Sequence, residues 1–297
     1  MTLFAFIGLG NMGGPMAANL AKAGHVVRGF DAVPEAVARA AERGIQPAAT
    51  LREAVEGADA IVTMLPSGAL VLEVWRELAG LVGEGVVVVD SSTIDVESAR
   101  AAHALLPHCL TVDAPVSGGT SGAEAGTLSF MLGGEGAAIE AARPLLQPMA
   151  GRLIPCGGPG AGQAAKLCNN MLLGISMIGA AEAFLLGERL GLDRQALFDV
   201  LSTSSGQCWS VNTYCPVPGP VPASPANRDY APGFATALML KDLRLATQAA
   251  EASAAPTPLG SAARDLFEAF GAAGGGGRDF SAIIEFLRAQ AAEPEAS

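Results

Sequence analysis

The run from Leu3 to Gly13 constrains the fold more than any other stretch of the chain. Leu3–Ile7 is short, apolar and β-prone, and it passes directly into Gly8-Leu9-Gly10-Asn11-Met12-Gly13. An Ala-rich, helix-prone segment follows from Gly14 to Ala23. A strand, a turn with glycines at this spacing and a helix form the opening of a βαβ unit that holds a dinucleotide. Gly8 permits the tight turn, Gly10 lets a pyrophosphate approach the backbone, and Gly13 lets helix and strand pack closely. The helix N-terminus then offers free N–H groups to the phosphates. A second β-prone run, Val26–Phe30, ends at Asp31, at the spacing where an acidic side chain accepts from the adenosine ribose hydroxyls. A carboxylate there repels the extra phosphate of NADP, so the expected cofactor is NAD. Arg28 is three residues earlier on the strand and points elsewhere.

The rest of the first half repeats the alternation. Strand-like runs occur at Ala60–Met64, Val86–Asp90 and Leu110–Asp113, and two shorter ones near Ser129–Leu132 and Arg152–Pro155, with helix-prone stretches between them. Continuously apolar strands separated by helices indicate a mostly parallel sheet covered on both faces. After Gly162 the pattern changes. Residues 164–190 contain no Pro and read as one long helix, bounded by Gly162 and Gly191. From Asp193 on, helical patterns dominate, interrupted by an irregular Pro-rich loop at Pro216–Pro225 and a glycine turn at Gly274–Gly277. The expected architecture is α/β: a Rossmann domain over residues 1–163, then a helical domain over 164–297 for substrate binding and oligomerisation. Residues 164–190 form the helix between them. The segment after Gln290 is expected to be disordered.

Composition narrows the function. Half of the 297 residues are hydrophobic and 16% are charged, which excludes a disordered chain. The net charge of −11 argues against nucleic acid as a partner, because binding there requires neutralising phosphates. The five cysteines form no CxxC pair and the three histidines no HExxH spacing, so the reading is a reduced, cytoplasmic compartment and no metal site. The N-terminus lacks a basic leader. The apolar run Met171–Gly187 is shorter and more interrupted than a membrane span requires and is expected to be a buried helix. GxSxG and GxxxxGK[ST] are both absent, which disfavours a nucleophilic hydrolase and a P-loop nucleotidase.

Further segments carry candidate chemistry. Met64-Leu65-Pro66 and Asp90-Ser91-Ser92-Thr93 lie at strand ends, where ligands bind in open α/β sheets; each could equally be an ordinary β-to-α turn with a capping hydroxyl. Asp113-Ala-Pro-Val-Ser117-Gly118-Gly119 ends in a hydroxyl-bearing glycine turn able to cradle a carboxylate, or in a plain turn. In Gly160-Ala-Gly162-Gln-Ala-Ala-Lys166-Leu-Cys-Asn169-Asn170, Lys166 and Asn170 are one turn apart on a shared helix face. An apolar setting and the positive helix end both favour a neutral lysine amine that can exchange a proton with a hydroxyl, although spacing alone fits a solvated surface lysine as well. Lys241-Asp242, set between leucines, could line a cleft or form a surface pair.

The motifs FIGLGNMGGPMAANL, DAPVSGGTSGAEAGTLSFMLGG, GAGQAAKLCNNM and KDLRLA, in this order across almost the whole chain, resemble those of the β-hydroxyacid dehydrogenases. The run SSGQCWSVNTYCPVPG is similar to the branch acting on 3-hydroxyisobutyrate. The resemblance implies a Rossmann domain and a helical domain joined by a long helix, no metal, and a homodimer or homotetramer. It implies Lys166 as the catalytic lysine and Asn170, Ser117, Gly118 and Gly119 as substrate contacts. It implies Gly8, Gly10, Asn11, Met12, Gly13, Asp31, Leu65, Pro66 and Thr93 as the NAD site. Lys241 is implied to close over cofactor and substrate, with Phe234 lining the same cleft. Leu70 departs from the pattern, since relatives often carry a polar residue there. The implied reaction is oxidation of 3-hydroxyisobutyrate to methylmalonate semialdehyde in valine breakdown. A sibling reductase acting on tartronate, glyoxylate or succinate semialdehyde, a phosphogluconate-type relative, and a non-catalytic NAD-binding sensor remain alternatives.

Overall fold

In a computed structural model, which describes residues 1–290, the chain divides into two compact units, Met1–Lys166 and the part from Leu167 onward. The first unit runs β1 (Leu3–Ile7), α1 (Gly13–Lys22), β2 (Val26–Phe30), α2 (Pro34–Ala41), β3 (Gln46–Pro47), α3 (Leu51–Val55), β4 (Ala60–Thr63), α4 (Gly68–Leu78), β5 (Val87–Asp90), α5 (Val96–Leu105) and β6 (Leu110–Asp113). It continues through β7 (Val116–Ser117), α6 (Gly119–Ala125), β8 (Leu128–Gly134), α7 (Gly136–Leu146), β9 (Ala150–Gly157) and the start of α8 (Ala161–Arg189).

The strands form one nine-stranded sheet in which β3-β2-β1-β4-β5-β6 are parallel neighbours. Side chains alternate across a strand, and β1 shows the consequence. Phe4 and Phe6 join a core with Met16, Leu20, Phe130 and Leu146 on the face covered by α1, α2, α6 and α7. Ala5 and Ile7 join Leu51, Ile61, Trp75 and Leu78 on the face covered by α3, α4 and α5. Both faces are dry, which is why the strands read as unbroken apolar runs.

The sheet departs from parallel beyond β6. β6 and β7 pair antiparallel with the same edge of β8 in a single register: Val112 faces Gly134, Asp113 faces Gly133, Val116 faces Phe130 and Ser117 faces Ser129. Pro115, which has no N–H, interrupts what is in effect one strand. The reversal takes place through the glycine turn at Gly118 and Gly119, both at positive φ, and α6. β9 then pairs parallel with β8.

The long helix starts at Ala161, so Gly162 lies inside it rather than bounding it. A Cβ at Gly162 would stand 2.3 Å from the Met131 carbonyl oxygen and 2.5 Å from that of Asp113. The glycine lets the helix approach β8 and β6; it does not end the helix. At 29 residues the helix is also longer than the apolar run read from sequence. By length and composition alone it could cross a membrane, but 44% of its most apolar window is buried within the protein.

The second unit contains the remainder of α8, α9 (Arg194–Thr203), α10 (Trp209–Asn212), α11 (Thr236–Ala252), α12 (Pro258–Ala272) and α13 (Ile283–Gln290). Its core joins Met177 and Phe184 of α8 to Met239, Leu243, Phe267, Phe270, Phe280 and Ile283. The Pro-rich loop is irregular, as read, and pinned from inside: Tyr230 Oη donates to Pro216 O at 2.8 Å and Ser224 Oγ to Cys215 O at 2.6 Å. The expectation for the segment after Gln290 concerns residues outside those described.

Candidate active site

The glycine loop of the first unit is built as its spacing demands. Gly8 has φ +94°, and a Cβ there would meet the Met64 carbonyl oxygen at 2.2 Å. At Gly13 a Cβ would lie 1.9 Å from Gly8 O, so α1 could not seat against the loop. Gly10 is exposed, with nothing within 4 Å of its missing Cβ. That open backbone, at the N-terminal end of a helix with no side-chain cap, fits the pyrophosphate of a dinucleotide. Asn11 is exposed and Met12 half-buried beside it. Asp31 Oδ2 accepts from Leu9 N at 2.6 Å and Oδ1 from Val33 N at 2.8 Å. The carboxylate thus fixes the loop itself and keeps lone pairs for ribose hydroxyls. Arg28 is turned away, donating to the carbonyls of Glu53 and Glu56. A cleft of about 440 Å³ beside the loop is lined by Gly10, Asn11, Arg39, Arg43, Thr120 and Glu124. The two arginines had no local signal that marked them.

The two strand-end turns hang from a buried polar network. Leu65 N donates to Ser92 Oγ at 2.8 Å, and Ser92 Oγ donates to Asp90 Oδ1 at 2.6 Å. Thr63 Oγ1 also donates to Asp90 Oδ1, at 2.7 Å, and accepts from Trp75 Nε1. Pro66 is exposed and Thr93 half-buried. Ser67 is an ordinary cap, accepting from Leu70 N; the α5 cap is Asp95.

Asp90 Oδ2 is buried with no hydrogen-bond partner among the described residues. Burial pushes the Asp90 carboxyl up to about 6, against the opposing hydrogen bonds from Ser92 and Thr63. The folded chain therefore holds this proton through a range where the unfolded chain has released it. Stability from this group is full below about pH 4 and lost as pH rises through 6. Asp90→Asn is neutral throughout. Its stability relative to wild type should rise by ~2 kcal/mol from pH 4 to pH 7, at ~1.4 kcal/mol per pKa unit. Urea midpoints across that range check this; a constant difference would remove the titration.

The start of α8 is clamped by Asp113, 1% exposed. Its carboxylate accepts from Gly160 N at 2.8 Å and Gln163 N at 2.9 Å, satisfying helix-end donors. His103 Nε2 lies 3.0 Å from the same carboxylate, and Nδ1 lies 2.7 Å from Thr111 Oγ1. A carboxylate only accepts, so Nε2 donates to it. Lys166 is 7% exposed, which rules out the solvated surface lysine. The turn Ser117–Gly119 belongs to the same unit; Gly118 is exposed, and Ser117 and Gly119 half-exposed.

In the second unit Asn170, 1% exposed, donates through Nδ2 to Asp242 Oδ2 and accepts from Asn169 Nδ2 at 2.9 Å. Asp242 is 3% exposed whereas the Lys241 side chain is 35% exposed, so the carboxylate of the pair is buried and the lysine reaches toward solvent. Lys241 Nζ is 3.6 Å from Asp242 Oδ1. Phe234 is half-buried, edge-on to Phe280 with centroids 5.7 Å apart. Asp113 and Gln163 were not assigned from sequence, because they work through residues 47 to 71 positions away; His103 and Asp90 have nearer partners in Thr111, Asp113 and Ser92, but no motif marks their burial. Among the described residues, no group of three or more His, Cys, Asp or Glu side chains is placed to hold a metal ion.

Comparison with known proteins agrees with this geometry. The family model described as NAD binding domain of 6-phosphogluconate dehydrogenase matches residues 3–158. The model described as NAD-binding of NADP-dependent 3-hydroxyisobutyrate dehydrogenase matches residues 160–287. A probable 3-hydroxyisobutyrate dehydrogenase of Mycobacterium tuberculosis is 54% identical, over 98% of this chain and 99% of its own length. An NAD-dependent L-serine dehydrogenase of Pseudomonas aeruginosa is 46% identical, over 95% of this chain and 97% of its own. A solved structure of Mycobacterium tuberculosis 3-hydroxyisobutyrate dehydrogenase with L-serine superposes with a TM-score of 0.94 at 53% identity, covering 97% of this chain and 99% of that one. With a dinucleotide loop that fits its cofactor and relatives aligned over nearly its whole length, this chain belongs to the β-hydroxyacid dehydrogenase family, as an NAD-dependent oxidoreductase of the 3-hydroxyisobutyrate dehydrogenase branch.

Proposed function

We propose that the chain oxidises 3-hydroxyisobutyrate to methylmalonate semialdehyde, a step of valine breakdown, with Lys166 as general acid/base. The observation that carries this reading is the burial of Lys166, 7% exposed, one turn before Asn170, 1% exposed, on a helix whose first turn is locked by Asp113. A buried amine beside a fixed amide can hold a substrate hydroxyl and take its proton. NAD, when bound, supplies the nicotinamide ring that accepts the hydride from the hydroxyl-bearing carbon. Ser117, Gly118 and Gly119 hold the substrate carboxylate, Asn170 orients the hydroxyl, and Lys166 Nζ receives the hydroxyl proton. Lys241 and Phe234 complete the substrate contacts. Gly8, Gly10, Asn11, Met12, Gly13, Asp31, Leu65, Pro66 and Thr93 hold the cofactor, with Asp31 setting the preference for NAD over NADP.

The reading extends to a soluble, cytoplasmic homodimer or homotetramer.

L-Serine is the second reading, because a relative is named for it and a similar structure contains it. It also carries a primary hydroxyl one carbon removed from the carbon bearing the carboxylate. The two differ by a methyl against an ammonium group. NADH formation with (S)-3-hydroxyisobutyrate should exceed that with L-serine by about 10-fold or more in kcat/KM. D-Glycerate, 4-hydroxybutyrate and 6-phosphogluconate should be poorer still, as should NADP in place of NAD. A reversed order of the first two substrates would move the assignment to serine. NAD binding without turnover of any substrate would favour a sensor.

A further inference from the structure

Gln163 has no exposed surface, yet it carries an amide. Burying such a group is costly unless each end is paired, and here each is. Oε1 accepts from Ile94 N at 3.1 Å, and Nε2 donates to Ser92 O at 2.8 Å. These two peptide groups flank Thr93, so the side chain grips the turn on either side of that residue as a neighbouring strand would. The main chain of Gln163 is also tied, through its N–H to Asp113 Oδ2. Ser92 carries the connection further, since its hydroxyl accepts from Leu65 N. Both strand-end turns assigned to the cofactor wall are therefore linked to one residue, three positions before Lys166 on α8.

We propose that Gln163 is a positioning residue that sets the Thr93 and Leu65 turns at a fixed distance from Lys166, and so sets the cofactor ring against the proton-transfer amine. This rests on the assignment of Lys166 above. A packing role alone would be served by leucine, which fills similar volume without an amide to satisfy. A positional role requires an acceptor toward Ile94 N and a donor toward Ser92 O at the same time. A protonated carboxyl supplies both; a carboxylate supplies only the acceptor and faces Ser92 O with like partial charge.

The test uses Gln163→Leu and Gln163→Glu in the full chain, with Lys166→Ala alongside. Measured are kcat, KM, NADH affinity by fluorescence titration, and the primary isotope effect with substrate deuterated at the hydroxymethyl carbon. Gln163→Leu should lose about 100-fold in kcat/KM, the scale of a misplaced reactant. It should weaken NADH by about 10-fold and raise the isotope effect, as hydride transfer becomes limiting. Gln163→Glu should be as impaired as Gln163→Leu at pH 8 and regain activity relative to wild type toward pH 6, as the introduced carboxyl gains its proton. A merely structural residue would change the melting temperature without moving the isotope effect or the shape of the pH profile.

Wild-type kcat, NADH affinity and isotope effect in Gln163→Leu would overturn the proposal. If that variant fails to fold, Gln163→Glu decides: a pH profile parallel to wild type overturns it, and recovery at low pH supports it. Full activity of Lys166→Ala would defeat the proton-transfer assignment instead, and the proposal with it in its stated form. An inactive Lys166→Ala beside fully active Gln163 variants would defeat the positioning role alone.

Discussion

Replacing Lys166 with Met or Ala is expected to lower kcat by about 10²- to 10⁴-fold, the range that a positioned proton-transfer group contributes. Lys166→Met is the sharper variant, because it retains the aliphatic stem packed in a site 7% exposed and removes only the amine. NADH affinity should stay within about 3-fold of wild type, because the turns proposed to bind the cofactor are held by Asp31, Ser92 and Gln163 rather than by Lys166. Stopped-flow absorbance at 340 nm with saturating NAD reads the first quantity and fluorescence titration the second. Turnover near the wild-type rate in a folded Lys166→Met would refute the assignment. A matched loss of NADH binding would instead show that the lysine supports the cofactor.

Exchanging single glycines of the nucleotide loop for alanine should separate folding from binding. Gly13→Ala forces a methyl to within 1.9 Å of Gly8 O and 3.0 Å of the Phe6 ring. Both neighbours are held in the core, so helix α1 must lift from β1. Overpacking of this kind costs about 1–3 kcal/mol or more, a fall of roughly 5–10 °C in melting temperature for a unit of this size, with NAD binding weakened as well. Gly10→Ala meets nothing within 4 Å. It should melt within about 1 °C of wild type yet bind NAD at least 10-fold more weakly, because the methyl occupies the approach of the pyrophosphate. Thermal melts with and without NAD check both. Equal melting temperatures for the two variants would contradict the packing role of Gly13, and undiminished NAD binding by Gly10→Ala would contradict the approach role of Gly10.

Much of this was legible because its signals are local. β1, β2 and β6 begin and end at the residues expected, since an apolar run bounded by turn residues needs no distant partner to be recognised. β3 and β7, at two residues each, carry no periodicity to read. The antiparallel return of β8 also escaped, because a strand's direction depends on the turn that delivers it. Gly162 lies inside α8 rather than at its boundary for a related reason. In sequence a glycine beside a helix pattern reads as a boundary, whereas the closeness of β8 and β6 that demands it exists only in the folded chain.

Spacing along the chain is enough to locate the nucleotide loop, the acidic residue that follows it, and the shared face of Lys166 and Asn170. In each case a fixed local geometry, that of a turn, a strand or an α-helix, converts spacing into position. Which polar groups are buried, and what they hold, follows from the closed chain alone. Asp113 reaches helix-end donors 47 and 50 residues away, Gln163 grips a turn about 70 residues earlier, and Asn170 meets Asp242 across 72 residues. A buried polar group must find a partner wherever the closed chain places one, and no local pattern announces a partner at that distance.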